Sequence, residues 1–452
     1  MIKKILGLVS GNGVRARAVR STGASLMLAV GEQALRFASN LILTRLLFPE
    51  AFGLMAIVTA IIVGIELVSD LGLRSVVVQS PRGDDADFLD TVWTLKCIRG
   101  VGLWLILVAA APLFADLYDQ PVLRQLLPVA GLSIPINGFV TSNELSVSRH
   151  MKLWRYTGLK LSAQFIGVSC MSLLAWQTGS VWALVLGNLV GALAHVVLFG
   201  RYLPGIRNRP RLERDSVRDI LRFSRYLALG MIATFVMTQS DRVVLGLFIP
   251  LDMLGVYNIG FALAVLPYTL AVQISGSVVL PLYRMRHPLD GSGNRANILR
   301  ARRLVSLAVL GAICLLAFLG PWIVAVLYDD RYVLAGPVCV LLCLANVPRT
   351  VLAGVMNVAV AKGDTFRFMV MNVATALCQG GLIYLGVRAF GIVGAPLAIG
   401  LAPLLTYPLM AGFLRRYNNW DPLGDAVLTL GACAVIGLSV WLHFDDIRVL
   451  LS

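Results

Sequence analysis

The stretch LTRLLFPEAFGLMAI, residues 43–57, decides the architecture of this chain, because a similar stretch, LGLFIPLDMLGVYNI, returns at residues 245–259. In both, an apolar run is interrupted by a turn that contains proline and is followed by glycine, and the apolar run then resumes. Proline and glycine between two apolar runs are typical of the tip of a helical hairpin. The return of the same tip predicts that the chain is built from two related halves.

A second pair of stretches supports this internal repeat. PINGFVTSNELSVSR runs from Pro135 to Arg149, and PRTVLAGVMNVAVAK runs from Pro348 to Lys362, so proline and the terminal cation keep the same separation of fourteen residues. The two matches are offset by 202 and 213 residues, a difference that changes in loop length accommodate. The repeat therefore extends beyond the hairpin tip.

Composition places this repeat in a membrane. The 452 residues are 58% hydrophobic and 14% charged, whereas soluble domains carry about 25% charged residues. Apolar runs of about 20 residues, long enough to cross a ~30 Å hydrocarbon core, recur along the chain. We predict an all-α polytopic membrane protein with about 12–14 transmembrane helices. The predicted spans are 24–47, 52–78, 91–115, 121–145, 157–177, 180–200, 223–249, 254–282, 303–327, 333–360, 367–387, 391–413 and 425–443.

The distribution of cations predicts the orientation of the chain. Loops 201–225 and 283–303 are rich in arginine, whereas the alternate, tight connections have almost no Lys or Arg. By the positive-inside rule the basic loops and the N-terminus are cytoplasmic, and residues 1–10 are expected to form a short interfacial helix. We interpret the net charge of +15 as the signal that orients the chain in the membrane, and we expect no nucleic-acid partner.

Because six spans precede the basic loop 201–225, the second half also begins inside, and the repeat is parallel, about an axis along the membrane normal. This predicts two six-helix bundles. The expected domains are an N-terminal bundle at 1–200, a basic cytoplasmic linker at 201–222, a C-terminal bundle at 223–413 and an extra C-terminal helix at 414–452.

Several charged residues lie inside the predicted spans, where each costs at least about 2.5 kcal/mol on insertion scales. Glu32 and Arg36 are four residues apart and therefore lie on one face of the predicted helix, where they can pair. The same spacing relates Glu66, Asp70 and Arg74. The other charges are Lys96, Arg99, Glu144, Asp241, Arg242 and Arg349. The alternatives for these groups are pairs that only hold the bundle together and, for Lys96 and Arg99, snorkelling to the cytoplasmic surface.

Arg349 differs from the other charges in its place in the repeat. Aligning Pro135 with Pro348 puts Arg349 opposite Ile136. The repeated fold therefore does not require this cation, which lies well inside its predicted span. We take Arg349 as the best candidate for a substrate contact.

Motifs for catalysis, metal binding and ATP hydrolysis are absent from the sequence. The seven cysteines all lie in apolar runs without a matching histidine pair, and the four histidines are scattered. Neither a phosphate-binding P-loop nor a G-x-S-x-G element occurs. We expect no enzyme activity, no metal and no cofactor; transport would be driven by an ion gradient or by consumption of the substrate.

The sequence resembles the oligosaccharide flippases of bacterial polysaccharide synthesis (Wzx type), which share a superfamily with multidrug and toxic-compound extrusion transporters. The resembling stretches are LFPEAFGLMAI, SDLGLRSVVVQ at 69–79, TVWTLKCIRG at 91–100, QSDRVVLGLFIPLDMLGVYNI at 239–259 and PRTVLAGVMNVAVAKGD at 348–364. The resemblance implies two six-helix bundles around a central cavity. It also implies the bacterial inner membrane as the location.

The substrate that the resemblance implies is an oligosaccharide on undecaprenyl diphosphate, moved from the cytoplasmic to the periplasmic leaflet by alternating access. Arg349, Arg36, Lys96, Arg99 and Arg242 would then form a cationic cavity for the diphosphate. Glu32, Glu66, Asp70 and Asp241 would be candidates for coupling to protons or sodium. The expected partners are this substrate, membrane lipids and, as a further candidate, the polysaccharide polymerase machinery.

Two other functions stay open at this stage. A proton- or sodium-coupled drug or cation antiporter of the same superfamily would have a cavity dominated by carboxylates. A membrane polysaccharide polymerase would need a sizeable outer loop for its chemistry, and every outer connection predicted here is short.

Overall fold

The computed structural model describes residues 14–70, 72–145, 153–285 and 291–450, so the interfacial helix predicted at 1–10 lies outside the described residues. All regular secondary structure in the described part of the chain is helical, and this part contains no strands. Its helices are α1 Val14–Leu46, α2 Pro49–Val68, α3 Leu73–Gln79, α4 Ala86–Leu117, α5 Leu123–Gly131, α6 Ser133–Gly138, α7 Leu153–Thr178, α8 Trp182–Tyr202, α9 Arg214–Phe248, α10 Leu251–Ile274, α11 Leu280–Met285, α12 Ser292–Leu327, α13 Ala335–Val351, α14 Asn357–Ala361, α15 Thr365–Phe390, α16 Gly394–Arg416, α17 Pro422–Leu442 and α18 Phe444–Val449.

Among the described residues, ten segments are long and apolar enough to cross a membrane. One of them, Thr365–Arg416, contains two helices, α15 and α16, joined by a short 3₁₀ turn at Gly391–Val393. The all-α polytopic membrane class predicted from the composition is therefore confirmed.

The two similar stretches that contain proline and glycine form the predicted hairpin tips. Helix α1 ends at Leu46 and α2 begins at Pro49, while α9 ends at Phe248 and α10 begins at Leu251. Pro49 is the first residue of α2, a position where its missing N–H costs no helical hydrogen bond. Pro250 precedes α10 with an extended backbone, φ −60° and ψ 152°.

The chain forms two compact units. The first comprises Met1–Leu47 and Ile61–Ala228, and the second comprises Phe48–Ala60 and Leu229–Ser452. The N-terminal half of α2 therefore packs within the second unit, although it precedes most of the first unit in sequence. This division concerns packing only, and the domain boundaries drawn from the sequence stay a prediction.

The predicted fourth span, 121–145, is broken into two short helices, α5 and α6, and a helical segment that begins at Asn143. Helix α5 ends at Gly131 and α6 ends at Gly138, in a segment with Pro128 and Pro135, which remove helical hydrogen bonds. Helix α13 similarly ends at Val351, and both α6 and α13 stop three residues after the proline that the repeat aligns.

The predicted second span, 52–78, is wrong beyond Val68. Helix α2 ends there, and the Asp70 carboxylate accepts the Gly72 amide at 3.0 Å in a turn. Gly72 has φ 59°, a left-handed conformation that glycine adopts without strain. Asp70 therefore does not share a helix with Glu66, and the expected helical spacing of the two carboxylates does not hold. The side chain of Arg74 lies outside the described part.

The C-terminal helix α17 is attached to the second unit by two arginines of α12. Arg302 donates to the Asp425 carboxylate, and both side chains are about 5% exposed. Arg303 holds Asp421 through two hydrogen bonds of 2.6 and 2.7 Å. The residues after 413 thus include an ordered helix that packs with the second unit.

Candidate substrate-binding site

Three side chains on one face of α10 organise the candidate site of the second unit. Asn258, Phe261 and Tyr268 are spaced by three and seven residues, which puts them on one side of a helix with 3.6 residues per turn. Phe261 and Tyr268 lie two turns apart, or about 10 Å along the helix axis at 1.5 Å per residue. All three are partly exposed. An arginine from a neighbouring helix lies over each ring.

Arg242 of α9 lies over Phe261, with its guanidinium carbon 4.3 Å from the ring centroid. Its Nε donates to the Asn258 side-chain oxygen at 3.1 Å, and one Nη donates to the Gln239 side-chain oxygen at 3.1 Å. The guanidinium is therefore held by neutral acceptors and an aromatic face, so its positive charge is not neutralised by these contacts.

Arg349 is in the last turn of α13 and lies over Tyr268, 4.4 Å from the ring centroid. It donates to the Asn346 side-chain oxygen at 3.3 Å. Asn346 is 2% exposed and its amide donates to the Ala264 carbonyl of α10 at 3.1 Å, which fixes the orientation of that amide. Arg349 is thus positioned by the same two kinds of group as Arg242.

Asp241 does not neutralise Arg242, although the two are adjacent in sequence. Asp241 is 3% exposed and accepts the Tyr257 hydroxyl at 2.8 Å, inside the unit. Arg242 points to the face of α10 that carries Phe261. Consecutive residues of a helix point in different directions.

In the first unit Glu32 does not pair with Arg36, although the sequence spacing allows that pair. The Glu32 carboxylate accepts Lys160 of α7 at 2.8 Å instead, and the Glu32 carbonyl accepts the Gln164 amide at 3.2 Å. Arg36 is exposed and makes no ion pair with another described residue. An inter-helix partner has replaced the expected partner one turn away, which leaves the Arg36 charge available.

Arg99 and Lys96 of α4 are engaged with backbone carbonyls and a hydroxyl. Arg99 donates to the Glu66 carbonyl at 2.5 Å and to Ser69 Oγ at 2.9 and 3.2 Å, at the C-terminal end of α2. Lys96 donates to the Val140 carbonyl at 3.2 Å. Cations at helix C-termini satisfy carbonyls that lack a helical partner. Donors of both cations are therefore occupied by groups of the protein.

The remaining acidic candidates, Glu66 and Asp70, belong to the first unit. Glu66 is in the last turn of α2, in the first unit, with Arg99 as a neighbouring charge. Asp70 is in the turn after α2. No group of three His, Cys, Asp or Glu side chains that could hold a metal ion occurs in the ranges that the structure describes.

Sequence reasoning found both arginines but missed the rings beneath them. The available signal was the spacing of seven residues between Phe261 and Tyr268 in a span that also carries Asn258. Such a spacing is usual for packed aromatic residues, so it gave no reason to single them out. Only the structure shows that an arginine of another helix lies over each ring.

The chain matches one known protein family over more than half of its length. A family model described as "Polysaccharide biosynthesis protein" matches residues 42–336. The chain belongs to this family. The match spans both units and includes the two proline-containing hairpin tips.

Curated relatives carry names from polysaccharide synthesis. The chain is 22% identical over 418 residues to the "Lipopolysaccharide biosynthesis protein WzxC" of Escherichia coli K12, with 88% of this chain and 83% of the relative covered. It is 27% identical over 338 residues to the "Succinoglycan biosynthesis transport protein ExoT" of Rhizobium meliloti, with 72% of this chain and 66% of the relative covered.

Solved structures of transporters share the fold. The chain superposes on the lipid II flippase MurJ in an inward closed conformation with a TM-score of 0.65, at 13% identity, over 95% of this chain and 100% of that one. An inward-facing multidrug resistance MATE transporter gives a TM-score of 0.61 at 15% identity, covering 93% and 98%. At these identities the likeness establishes the fold.

Proposed function

We propose that the protein moves an undecaprenyl diphosphate-linked oligosaccharide from the cytoplasmic to the periplasmic leaflet by alternating access, in an inner membrane with its N-terminus in the cytoplasm. The observation that carries this proposal is the pair of partly exposed arginines, Arg242 and Arg349, over one face of α10. The relatives that act in lipopolysaccharide and succinoglycan synthesis support the class of substrate.

The chemistry of the two arginines suits a diphosphate. A diphosphate must cross a layer of low dielectric constant, where an unpaired charge is very costly. A guanidinium stacked on a ring keeps N–H donors in its own plane, and these bind phosphate oxygens in pairs. Arg242 and Arg349 retain their charge because their contacts in this unit are neutral amides and aromatic rings. We therefore assign Arg242 and Arg349 to binding of the diphosphate.

Arg36 is the candidate for the same role in the first unit. It is exposed, its expected partner Glu32 is bound to Lys160, and it has kept its charge unpaired among described residues. We assign Lys96 and Arg99 to positioning of the helices rather than to substrate binding, because their donors are bound to Val140, Glu66 and Ser69.

The rings next to the arginines suit a sugar. Tyr268 and Phe261 are partly exposed aromatic side chains beside hydrogen-bonding amides of Asn258 and Gln239. Ligand sites combine apolar or aromatic surface with a few placed polar groups. This combination accommodates an oligosaccharide next to its diphosphate.

Coupling of transport to a proton or sodium gradient stays part of the proposal, with Glu32, Glu66, Asp70 and Asp241 as the sequence-derived candidates. Asp241 is the most favourable of the four by its contacts, because it is buried and its bonding partner is a neutral hydroxyl. Glu32 already has a lysine as its partner. Asp70 accepts a backbone amide in a turn.

A drug or cation antiporter is the alternative that the fold allows, since the MATE transporter shares it. A site for organic cations would present carboxylates. The α10 site presents two unneutralised arginines instead, which favours an anionic ligand. The polymerase alternative has no support from the comparisons.

Deletion of the gene followed by mass spectrometry of the membrane lipids tests the proposal. We expect carrier-linked saccharides to accumulate and surface polysaccharide to fall. Separating the leaflets with a membrane-impermeant, sugar-cleaving enzyme should find the accumulated saccharide on the cytoplasmic side. Normal lipid-linked saccharide levels together with lost efflux of organic cations would support the antiporter instead.

A further inference from the structure

A separate polar cluster lies inside the first unit, where α7 and α8 meet the segment that follows α6. His195 of α8 has its Nε2 3.9 Å from the Glu144 carboxylate oxygen Oε1. The Tyr156 hydroxyl of α7 donates to the same oxygen at 3.3 Å. Lys160 of α7 and Lys96 of α4 are the other charges that act on His195. Sequence reasoning had treated the histidines as scattered.

The His195 ring is held in place with one nitrogen unsatisfied. Its side chain is 19% exposed, and that of Glu144 is 21% exposed. The ring packs edge to face on Phe199, with centroids 4.2 Å apart, and Phe199 is fully buried. Nε2 itself is buried and lacks a hydrogen-bond partner in the described ranges. A buried polar atom left without a partner costs free energy, and a proton on this nitrogen would face the Glu144 carboxylate.

The charges around the ring are balanced when His195 is neutral. Lys96 and Lys160 supply two positive charges, and Glu144 and Glu32 supply two negative ones, with Glu32 bound to Lys160. Imidazole is the side chain that changes charge near neutral pH. A proton on Nε2 would give the cluster one extra positive charge, directly opposite the Glu144 carboxylate.

Protonation would also change the contacts of Glu144. An N–H···O bond has a donor–acceptor distance of about 2.9 Å, so a protonated His195 and Glu144 would close a gap of about 1 Å. Glu144 is the acidic neighbour of Lys96, whose amine bonds the Val140 carbonyl at 3.2 Å. A proton at His195 would draw Glu144 toward the imidazole. It would therefore change the charge next to Lys96, which joins α4 to the segment after α6.

We propose that His195 and Glu144 form a proton-binding site of the first unit, whose loading is coupled to translocation of the substrate. This inference rests on the proposed transport function, and it names a site outside the four carboxylates that the sequence suggested for coupling. The proton is bound between Nε2 and Oε1, with Tyr156 as the second donor to the carboxylate.

The first experiment measures the titration of His195 directly. The full-length protein, with only four histidines, is labelled with ¹³C-histidine, and the His195 signal is assigned by its loss in H195Q. Glu144→Gln should lower the titration midpoint by about one unit, a tenfold weaker proton affinity, because the stabilising anion is gone. Lys160→Gln should raise the midpoint, because a repelling cation is gone and Glu32 is left unpaired.

Glu213→Gln is the matched control, since this carboxylate lies in the linker of the same unit and pairs with Arg82. It should leave the His195 midpoint unchanged. The proposal is overturned when His195 fails to titrate between pH 5 and 8, or when Glu144→Gln leaves its midpoint where it was.

The second experiment separates this inference from the transport function itself. Polysaccharide export is measured in cells at external pH 6 and pH 8, with H195Q and Arg349→Ala compared with the wild type. Lost pH dependence in H195Q, with protein levels maintained, supports the proton site. If H195Q keeps the wild-type pH dependence while Arg349→Ala still impairs export, the proton site fails and the flippase proposal stands. If neither variant changes export, both fail.

Discussion

Gly53 of α2 and Gly255 of α10 contact each other's helices reciprocally. A Cβ placed on Gly53 would lie 1.9 Å from the Leu251 carbonyl oxygen, and one placed on Gly255 would lie 2.0 Å from the Pro49 carbonyl oxygen. Each glycine meets the carbonyl four residues before the other glycine. Both helices begin at a hairpin tip, so the two copies of the repeated stretch pack on each other through equivalent residues, all within the second unit.

Gly53→Ala should destabilise the protein, because backbone atoms cannot move aside as a flexible side chain does. Overpacking of this kind costs about 1–3 kcal/mol, and Gly255→Ala should have a similar effect because the contact is reciprocal. Thermal unfolding of the purified protein in detergent measures it. Gly102→Ala is the control, since a Cβ there meets nothing within 4 Å. Equal melting temperatures for Gly53→Ala and Gly102→Ala would contradict the close contact.

Sequence reasoning predicted the hairpin tips but had no means to predict their contact. The apolar runs and the Pro and Gly residues fix where helices begin, and hydropathy fixes the membrane class. Which helices pack together depends on pairs far apart in sequence, such as Gly53 and Gly255. The repeat indicated that these residues are equivalent, not that they touch.

The incorrect predictions have two causes: local spacing was used for a contact that is not local, and hydropathy was used where a local turn ends a helix. Glu32 and Arg36 satisfy the helical spacing of an ion pair, yet Lys160 from another helix takes the carboxylate. The second span was drawn past Val68 because the following residues are apolar, whereas Asp70 and Gly72 form a turn there. A turn set by one hydrogen bond and one positive φ leaves little trace in hydropathy.

Arg349→Ala should reduce polysaccharide export about tenfold or more while the protein remains in the membrane, since a hydrogen bond to a charged group contributes about 1.5–3 kcal/mol. Arg349→Lys should restore export only in part, because lysine keeps the charge but loses the paired donors. Export is measured as surface polysaccharide at matched protein levels.

Arg388→Ala is the matched control for Arg349, because Arg388 also lies over a tyrosine, Tyr384, but is exposed at the end of α15. It should leave export unchanged. Wild-type export by Arg349→Ala, or full rescue by Arg349→Lys, would count against paired binding of a diphosphate.

Arg36→Ala should impair export without lowering stability. The Arg36 side chain is exposed and makes no ion pair among the residues that the structure describes, so its removal breaks no such contact. Lys160→Ala is the contrasting variant, because it removes the partner of Glu32 and should lower the melting temperature. A fall in melting temperature for Arg36→Ala equal to that for Lys160→Ala would assign Arg36 to the structure rather than to the substrate.

Asp425→Ala should destabilise the attachment of α17 strongly. It leaves Arg302 buried without its partner, and breaking a buried ion pair by removing one side costs about 3–5 kcal/mol. Asp421→Ala is the comparison: its partner Arg303 is 51% exposed, but Asp421 itself is 7% exposed and also accepts the Gly424 amide at the start of α17, so we expect a smaller loss of about 1–2 kcal/mol, that of a helix cap. Chemical denaturation measures both. Similar losses for the two variants would show that burial of the Arg302 pair does not matter.

The linker between the halves is held to the turn that precedes α4 by an ion-pair cluster that should open in acid. Arg82 binds both Asp85 and Glu213, at 2.8 and 2.9 Å. Hydrogen bonds from Arg82 lower the pKa of Asp85, and hydrogen bonds from Ser216 and then Arg82 lower the pKa of Glu213. Groups with a lowered folded pKa stabilise the fold above their unfolded values, about 3.9 and 4.3, and lose this contribution as the pH falls through the folded values.

Hydrogen exchange of the linker peptide 205–216, normalised to the unfolded rate at each pH, measures this opening. Protection should be full near pH 7 and should fall only below about pH 4. Glu213→Ala should lose part of the protection even at pH 7, because Arg82 then keeps only Asp85 as its anion. Asp215→Ala is the control, since this neighbouring carboxylate is exposed and forms no ion pair in the described part of the chain. Protection that is independent of pH and of Glu213 would show that the Asn208 and Asn143 contacts hold the linker without the ion pairs.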